Sequence, residues 1–168
     1  MRFAHDEVLF AWFGTGGWTA GVAGGCHPDP IPAEAISRKD PRWILVKQFF
    51  LDNSAPAHIY ADDFLIAADR NGLDWRLLPS LSIVESGGGR EARNNNMFGW
   101  DNCRVHFRTA KEGIYRVASL LKNSSLYRKK TSVDQILWTY NPRRAYTKKV
   151  RALMAQLGPV DLVPVGLR

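Results

Sequence analysis

A single glutamate stands at the end of an apolar segment and just before a run of glycines. Glu85 follows residues 77–84, and residues 87–89 are all glycine. Glycine commonly ends helices, so the spacing predicts Glu85 in the last turn of one. There the negative end of the helix dipole and apolar neighbours both favour the protonated carboxyl. An acid that stays protonated near neutral pH can protonate a leaving group, as in glycoside cleavage.

Amide and aromatic side chains follow the glycines. Residues 94–100 read N-N-N-M-F-G-W. Amides hydrogen-bond sugar hydroxyl and N-acetyl groups, and aromatic rings cover the apolar face of a sugar. The sequence therefore predicts a carbohydrate contact made by Ser86, Asn95, Asn96, Phe98 and Trp100.

The segments GLDWRLLPSLSIVESGGG and NNNMFGW resemble the catalytic-helix signature of lysozyme-like bacterial cell-wall hydrolases. They are most similar to the endo-β-N-acetylglucosaminidases, the flagellar-rod-type peptidoglycan hydrolases, and more distantly to the soluble lytic transglycosylases. A weaker resemblance covers roughly residues 57–157. The resemblance implies that Glu85 is the catalytic acid and that Asn95, Asn96, Phe98 and Gly99 form the accompanying motif.

A second motif near the C-terminus resembles the same families. The run WTYNPRRAYTKKV contains a Tyr-Asn pair, Tyr140-Asn141, and matches further family elements at Tyr146 and at Lys149-Val150. Trp138 and Tyr140 compete for the position of the functional tyrosine. Tyr140 is preferred because a phenol can hydrogen-bond the substrate's N-acetyl carbonyl or Glu85. The prediction is that Tyr140 is catalytic and that Asn141 binds substrate.

The resemblance also implies a choice of mechanism. Only residues 101–108 separate Trp100 from Thr109, where the family often carries a longer insertion with a second acid. We therefore expect a reduced or absent β lobe and one catalytic acid, with Asp101 in a turn. The substrate's 2-acetamido group or 6-hydroxyl would attack the anomeric carbon. The implied activity is cleavage of β-1,4 bonds between N-acetylglucosamine and N-acetylmuramic acid, by hydrolysis or by lytic transglycosylation.

Hydrophobic periodicity predicts an all-α fold, a lysozyme-like helical domain. Helices are expected over residues 41–50, 57–70 and 143–157. Asp74 is expected to cap the helix that carries Glu85. Another helix is expected to begin at Thr109, with Glu112 in a capping box, and a short helix is expected to begin at Thr131 or Ser132 and to run through Trp138. No segment of the sequence is rich in strand-forming residues.

The net charge of +7 predicts an acidic partner. Lysine and arginine concentrate at residues 128–130, 143–144 and 148–151. A basic helical domain of this kind could instead be a nucleic-acid-binding module or a non-catalytic wall-binding protein. Glu85 beside the amide and aromatic run favours peptidoglycan glycan strands as partner and argues against nucleic acid. We expect a monomer without cofactor or metal.

The N-terminal part leaves three interpretations open. Residues 8–25 carry no charge, and Ala-Gly-Gly-Cys at residues 23–26 resembles a lipobox, which would anchor Cys26 to a membrane and place the protein in the cell envelope. Acidic residues at positions 6 and 7 depart from that pattern. A misassigned start codon and a flexible arm are the alternatives. The predicted organisation is a leader or arm over 1–40, a catalytic domain over 41–158 and a tail over 159–168.

Overall fold

The computed structural model describes residues 40–162, which form a mainly helical fold. The α-helices are α1 Pro41–Asp52, α2 Ala61–Arg70, α3 Leu77–Ser86, α4 Ala110–Asn123, α5 Val133–Tyr140 and α6 Arg144–Leu157, with short 3₁₀ segments at Pro56–Tyr60 and Trp100–Cys103. Residues 40–162 contain no sheet, and an isolated antiparallel bridge joins Arg93 and Asn96. The predicted all-α class is confirmed. No helix in this part of the chain is long and apolar enough to cross a membrane.

Helix α3 lies at the centre of the core. Its residues from Leu77 to Ser82 are all buried, and it packs against α2 and α6. Three phenylalanines, Phe50, Phe64 and Phe98, continue the core beside it, with successive ring centroids 5.0 and 6.2 Å apart. Because a helix buried on all sides cannot shift without disturbing its neighbours, the end of α3 is a rigid platform for Glu85.

The helix boundaries differ from the predicted ones in two places. The expected helix over 57–70 is a 3₁₀ segment up to Tyr60 followed by α2, since Tyr60 has φ −105° and ψ 16°, outside the helical range. Asp74 accepts a hydrogen bond from the Arg76 backbone N–H, so it caps the turn that precedes α3. Pro79 lies in the first turn of α3, where no intrahelical bond is lost to it.

The predicted caps of α4 and α5 form, with one change. The Thr109 side chain accepts from the Glu112 N–H, but the Glu112 carboxylate accepts from the Arg108 N–H, so the reciprocal half of the predicted box is shifted by one residue. Before α5, Ser132 and Gln135 make both halves of a capping box. Each arrangement satisfies backbone donors that a helix start leaves free.

The C-terminal tail is attached where the structure describes it. The Trp75 indole donates to the Val160 carbonyl at 3.2 Å, and Arg76 donates to the Gly158 carbonyl at 2.8 Å. One side chain near the start of α3 therefore binds the backbone of Val160 in the predicted tail, and another binds Gly158 just before it. The proposed leader, with Cys26, lies outside the described residues.

Candidate active site

Glu85 occupies the last turn of α3, as predicted. The helix ends at Ser86, and Gly87 follows in the left-handed conformation with φ +60°. The half-buried carboxyl accepts a 2.6 Å hydrogen bond on Oε1 from the Tyr146 hydroxyl of α6. Its other oxygen, Oε2, faces the backbone of Gly99, where a Cβ would lie only 3.2 Å away. One oxygen is thus held by a tyrosine hydroxyl, and the other lies against a backbone that leaves little room for a side chain at position 99.

The pKa of Glu85 is raised above its ordinary value of 4.5. Burial is the largest cause, since it disfavours the charged form, while the Tyr146 hydrogen bond and the positive charge of Lys149 partly oppose the rise. The protonated form is therefore retained to higher pH than in an ordinary glutamate. A carboxyl group in this state can donate its proton and, once ionised, accept another.

The tyrosine that binds this carboxyl, Tyr146, belongs to a cluster of aromatic rings. Tyr140 stacks on Tyr146 with ring centroids 6.1 Å apart and planes 9° apart, and the edge of Trp100 meets Tyr140 at 6.0 Å. Trp100 also contacts Tyr127 at 6.0 Å. The rings fix the position of Tyr146, and through its hydroxyl they fix Glu85. Trp100 is only half-buried, which leaves part of the ring available to a ligand.

The tyrosine that hydrogen-bonds Glu85 is Tyr146, and the expectation that Tyr140 could do so is wrong. The Tyr140 hydroxyl instead donates to the Phe98 carbonyl. The two tyrosines are close because α5 ends where α6 begins, but only α6 packs along α3. Tyr140 consequently joins the loop of Phe98 to α5, and its pKa is well above the ordinary value because the ring is buried.

Ser86 has a structural role in place of the predicted substrate contact. Its side chain is almost fully buried, donates to the Met97 carbonyl at 2.7 Å and accepts from the Gly89 N–H at 3.0 Å. These bonds join the end of α3, the glycine turn and the amide-rich loop. A hydroxyl with both functions occupied inside the protein cannot also bind a sugar.

Asn96 and Phe98 are also buried, which contradicts their predicted contact with substrate. The Asn96 amide group donates to the Trp100 carbonyl at 2.9 Å, and its oxygen accepts from the Trp100 N–H at 2.9 Å. Phe98 has no exposed surface and belongs to the core. An amide that bridges two turns of its own loop shapes that loop, so Asn96 positions Trp100.

The two remaining predicted residues, Asn95 and Asn141, differ in how accessible their side-chain oxygens are. Asn95 is exposed, and its amide donates to the Phe107 carbonyl at 2.9 Å, which leaves its side-chain oxygen free toward solvent. Asn141 is half-buried as a residue, but its side-chain oxygen is itself buried and has no hydrogen-bond partner within residues 40–162. Asn141 follows Tyr140 directly. Because that oxygen is buried, a ligand would reach it only if the neighbouring side chains moved.

The other acids that could have served as a second carboxylate are engaged or outward-facing. Glu112 binds Arg108, and Asp134 lies 3.1 Å from Arg151. Asp101 is exposed in a turn with φ +51°. Within the described part of the chain, the charged side chain that shifts the Glu85 pKa is Lys149, which is positive. This arrangement has one acid at its centre.

Sequence reasoning did not assign roles to Tyr146, Lys149 or Gly99 around Glu85. The signal for the first two was their spacing, since residues three apart on a helix share a face, and both matched family elements. The signal for Gly99 was its place between Phe98 and Trp100. Its proximity to Oε2 depends on how the loop returns to α3, which spacing does not define.

Comparison of the chain with protein-family models, with curated proteins and with solved structures finds no match to any of them.

Proposed function

We propose that this protein cleaves the glycan strands of peptidoglycan, at β-1,4 bonds between N-acetylglucosamine and N-acetylmuramic acid, with Glu85 as general acid and base. The observation that carries the proposal is a half-buried carboxyl with a raised pKa at the end of a central helix, held by Tyr146 and approached closely by the backbone of Gly99. The resemblance of its sequence surroundings to lysozyme-like cell-wall hydrolases supplies the substrate class. The same resemblance supports a lysozyme-like fold and action in the cell envelope.

The proposed reaction uses one acid twice. Protonated Glu85 gives its proton to the glycosidic oxygen as the bond to the anomeric carbon breaks, while the substrate's 2-acetamido oxygen or 6-hydroxyl attacks that carbon. The resulting carboxylate then takes a proton from the incoming water or from the 6-hydroxyl, which restores the acid. The first route yields a reducing end, and the second yields an anhydro end. Tyr146 holds the carboxyl through both steps.

Lytic transglycosylation is the second candidate, and a single acid at the centre of the site supports it together with substrate-assisted hydrolysis, against a two-carboxylate mechanism. A two-carboxylate hydrolysis needs a second acid at a set distance from the first. Asp101 faces solvent and Glu112 caps α4. A substrate hydroxyl or acetamido group as internal nucleophile removes the need for that second acid.

Mass spectrometry of fragments released from purified peptidoglycan tests the proposal. We expect Glu85→Gln to lower the rate at least about a hundredfold, the lower range of a general-acid contribution. Glu112→Gln is the matched control, since it removes a carboxylate that only caps a helix, and it should stay within about tenfold of the parent. Glu85→Gln with more than a tenth of the parent activity would overturn the assignment, and the fragment ends distinguish the two routes.

A further inference from the structure

A groove on the side of the helical hairpin α5–α6 is separate from Glu85. It encloses about 520 Å³ and is lined by Lys130, Asp134, Gln135, Trp138, Thr139, Arg144, Thr147 and Lys148. On α6, Tyr146 and Lys149 act on Glu85, whereas Arg144, Thr147 and Lys148 follow the three- and four-residue spacing of a different face. The two sites therefore share a helix but not a surface.

An exposed tryptophan lies in this groove. Trp138 is 52% exposed although it belongs to a short helix whose neighbours Ile136 and Leu137 are buried. A large ring left open beside polar groups is typical of a binding surface, since it offers a flat apolar face to a ligand. The ring can cover the apolar face of one sugar.

The charges around the ring are predominantly positive. Lys130, Arg144 and Lys148 make no ion pair within residues 40–162, while Asp134 is already paired with Arg151. Three unpaired cations around one groove attract an anion. The lining thus matches a ligand that is flat and apolar on one side and carries negative charge nearby.

Hydrogen-bonding groups complete the groove. The Thr147 hydroxyl is buried without a hydrogen-bond partner in the described part of the chain. Gln135 and Thr139 lie along the same lining; the Gln135 oxygen caps α5 and the Thr139 hydroxyl donates to the Gln135 carbonyl, so the Gln135 side-chain N–H groups and the Thr139 hydroxyl oxygen remain for a ligand. Hydroxyl and amide groups suit sugar hydroxyls and N-acetyl groups.

We propose that the α5–α6 groove is an accessory binding site for a carboxylate-bearing N-acetyl amino sugar of the glycan strand, with Trp138 against the sugar ring and Arg144 and Lys148 on the carboxylate. The class of ligand rests on the proposed function. The carboxylate can belong to the sugar's own acidic substituent or to an attached peptide. A strand held here would be retained near Glu85 between cleavage events.

Binding to purified peptidoglycan, measured by sedimentation with the full chain carrying Glu85→Gln, tests the proposal independently of cleavage. We expect Trp138→Ala to weaken binding about tenfold, because the ring would be buried against the bound sugar. Lys148→Glu should also weaken binding about tenfold, because it places a negative charge beside the ligand's carboxylate. Leu126→Ala and Arg116→Glu are matched controls, an exposed apolar residue and an exposed arginine elsewhere, and should bind as the parent does. Thermal unfolding of each variant checks that the fold is retained.

Two further ligands, peptide-free glycan strands and random-sequence DNA, show which carboxylate and which polymer the groove binds. An amidase removes the peptides and frees the sugar's own carboxylate from its amide bond. Binding of these strands should be sensitive to Lys148→Glu if that acid is bound, and should lose the sensitivity if the peptide is bound; both results support the site. Equal binding of all variants to peptidoglycan would overturn it. Variants that lose only the binding of random-sequence DNA would overturn it in favour of a nucleic-acid surface.

Discussion

Two groups near Glu85 oppose the effect of burial on its pKa. Tyr146 and Lys149 lower its pKa, and burial raises it by more. The balance keeps the carboxyl available for both halves of an acid and base cycle. A carboxyl with burial alone would hold its proton too firmly to act as a base in the second step.

Removing the tyrosine hydroxyl should shift this balance in a known direction. Because the Tyr146 hydrogen bond lowers the Glu85 pKa, Tyr146→Phe should raise it further. The alkaline limb of the kcat/KM profile, where the general acid loses its proton, should then move to higher pH. Tyr115→Phe is the matched control, since that hydroxyl binds Asp63, and it should leave the limb in place. A limb that moves to lower pH would contradict the assigned role of Tyr146.

The same pKa shift predicts a change in stability. A carboxyl whose pKa is higher in the folded state than in the unfolded state costs stability as pH rises from its ordinary value of 4.5 through the folded value. Glu85→Gln removes the charge and keeps an acceptor for Tyr146. We expect its melting temperature to exceed the parent's at pH 7 and to approach it below pH 4.5. A variant less stable than the parent at pH 7 would contradict the direction of the shift.

At the level of elements, a small number of side-chain hydrogen bonds hold the loop from Gly87 to Cys103 against the end of α3. Ser86 binds the carbonyl of Met97, and Asn96 binds the backbone of Trp100. Trp100 in turn meets Tyr140 at the end of α5. The residues that resemble a sugar-binding motif thus include several that build the loop.

Two buried serines of α3 offer a matched test of this structural role. Ser86→Ala should lower the free energy of unfolding by about 1–3 kcal/mol, because it leaves the Gly89 N–H and the Met97 carbonyl without their partner. Ser80 is equally buried, but its hydroxyl has no partner within residues 40–162, so Ser80→Ala should be neutral or stabilising. Urea denaturation measures both. An unchanged stability with a raised KM for Ser86→Ala would instead restore its predicted contact with substrate.

For the molecule as a whole, the net charge of +7 should govern encounter with an anionic wall. Arg144 and Lys148 are exposed, so salt should screen them, with a screening length that falls from about 10 Å at 0.1 M to about 3 Å at 1 M. We expect sedimentation with peptidoglycan to weaken over that range. Cleavage of a neutral N-acetylglucosamine oligomer should change little. Binding that is independent of salt would exclude a main role for these charges.

The sequence by itself determined the helical class and the position of Glu85. Apolar spacing fixes which segments can bury a helical face, and three glycines after Ser86 end α3 wherever the rest of the chain lies. The caps at Thr109 and Ser132 were predictable for the same reason, since a cap joins residues three positions apart. These are local relations, and local sequence contains them.

Tertiary structure alone decided which groups surround the carboxyl. Tyr146 is 61 residues from Glu85 in the chain, and whether it or Tyr140 reaches Oε1 depends on how α6 packs along α3. Asn96 was predictable as an amide near the site but not as a buried one, because its burial follows from the path of the loop back to Trp100. Side-chain type indicates what a residue can do chemically. Packing between distant segments determines which of those capacities remain free for a ligand.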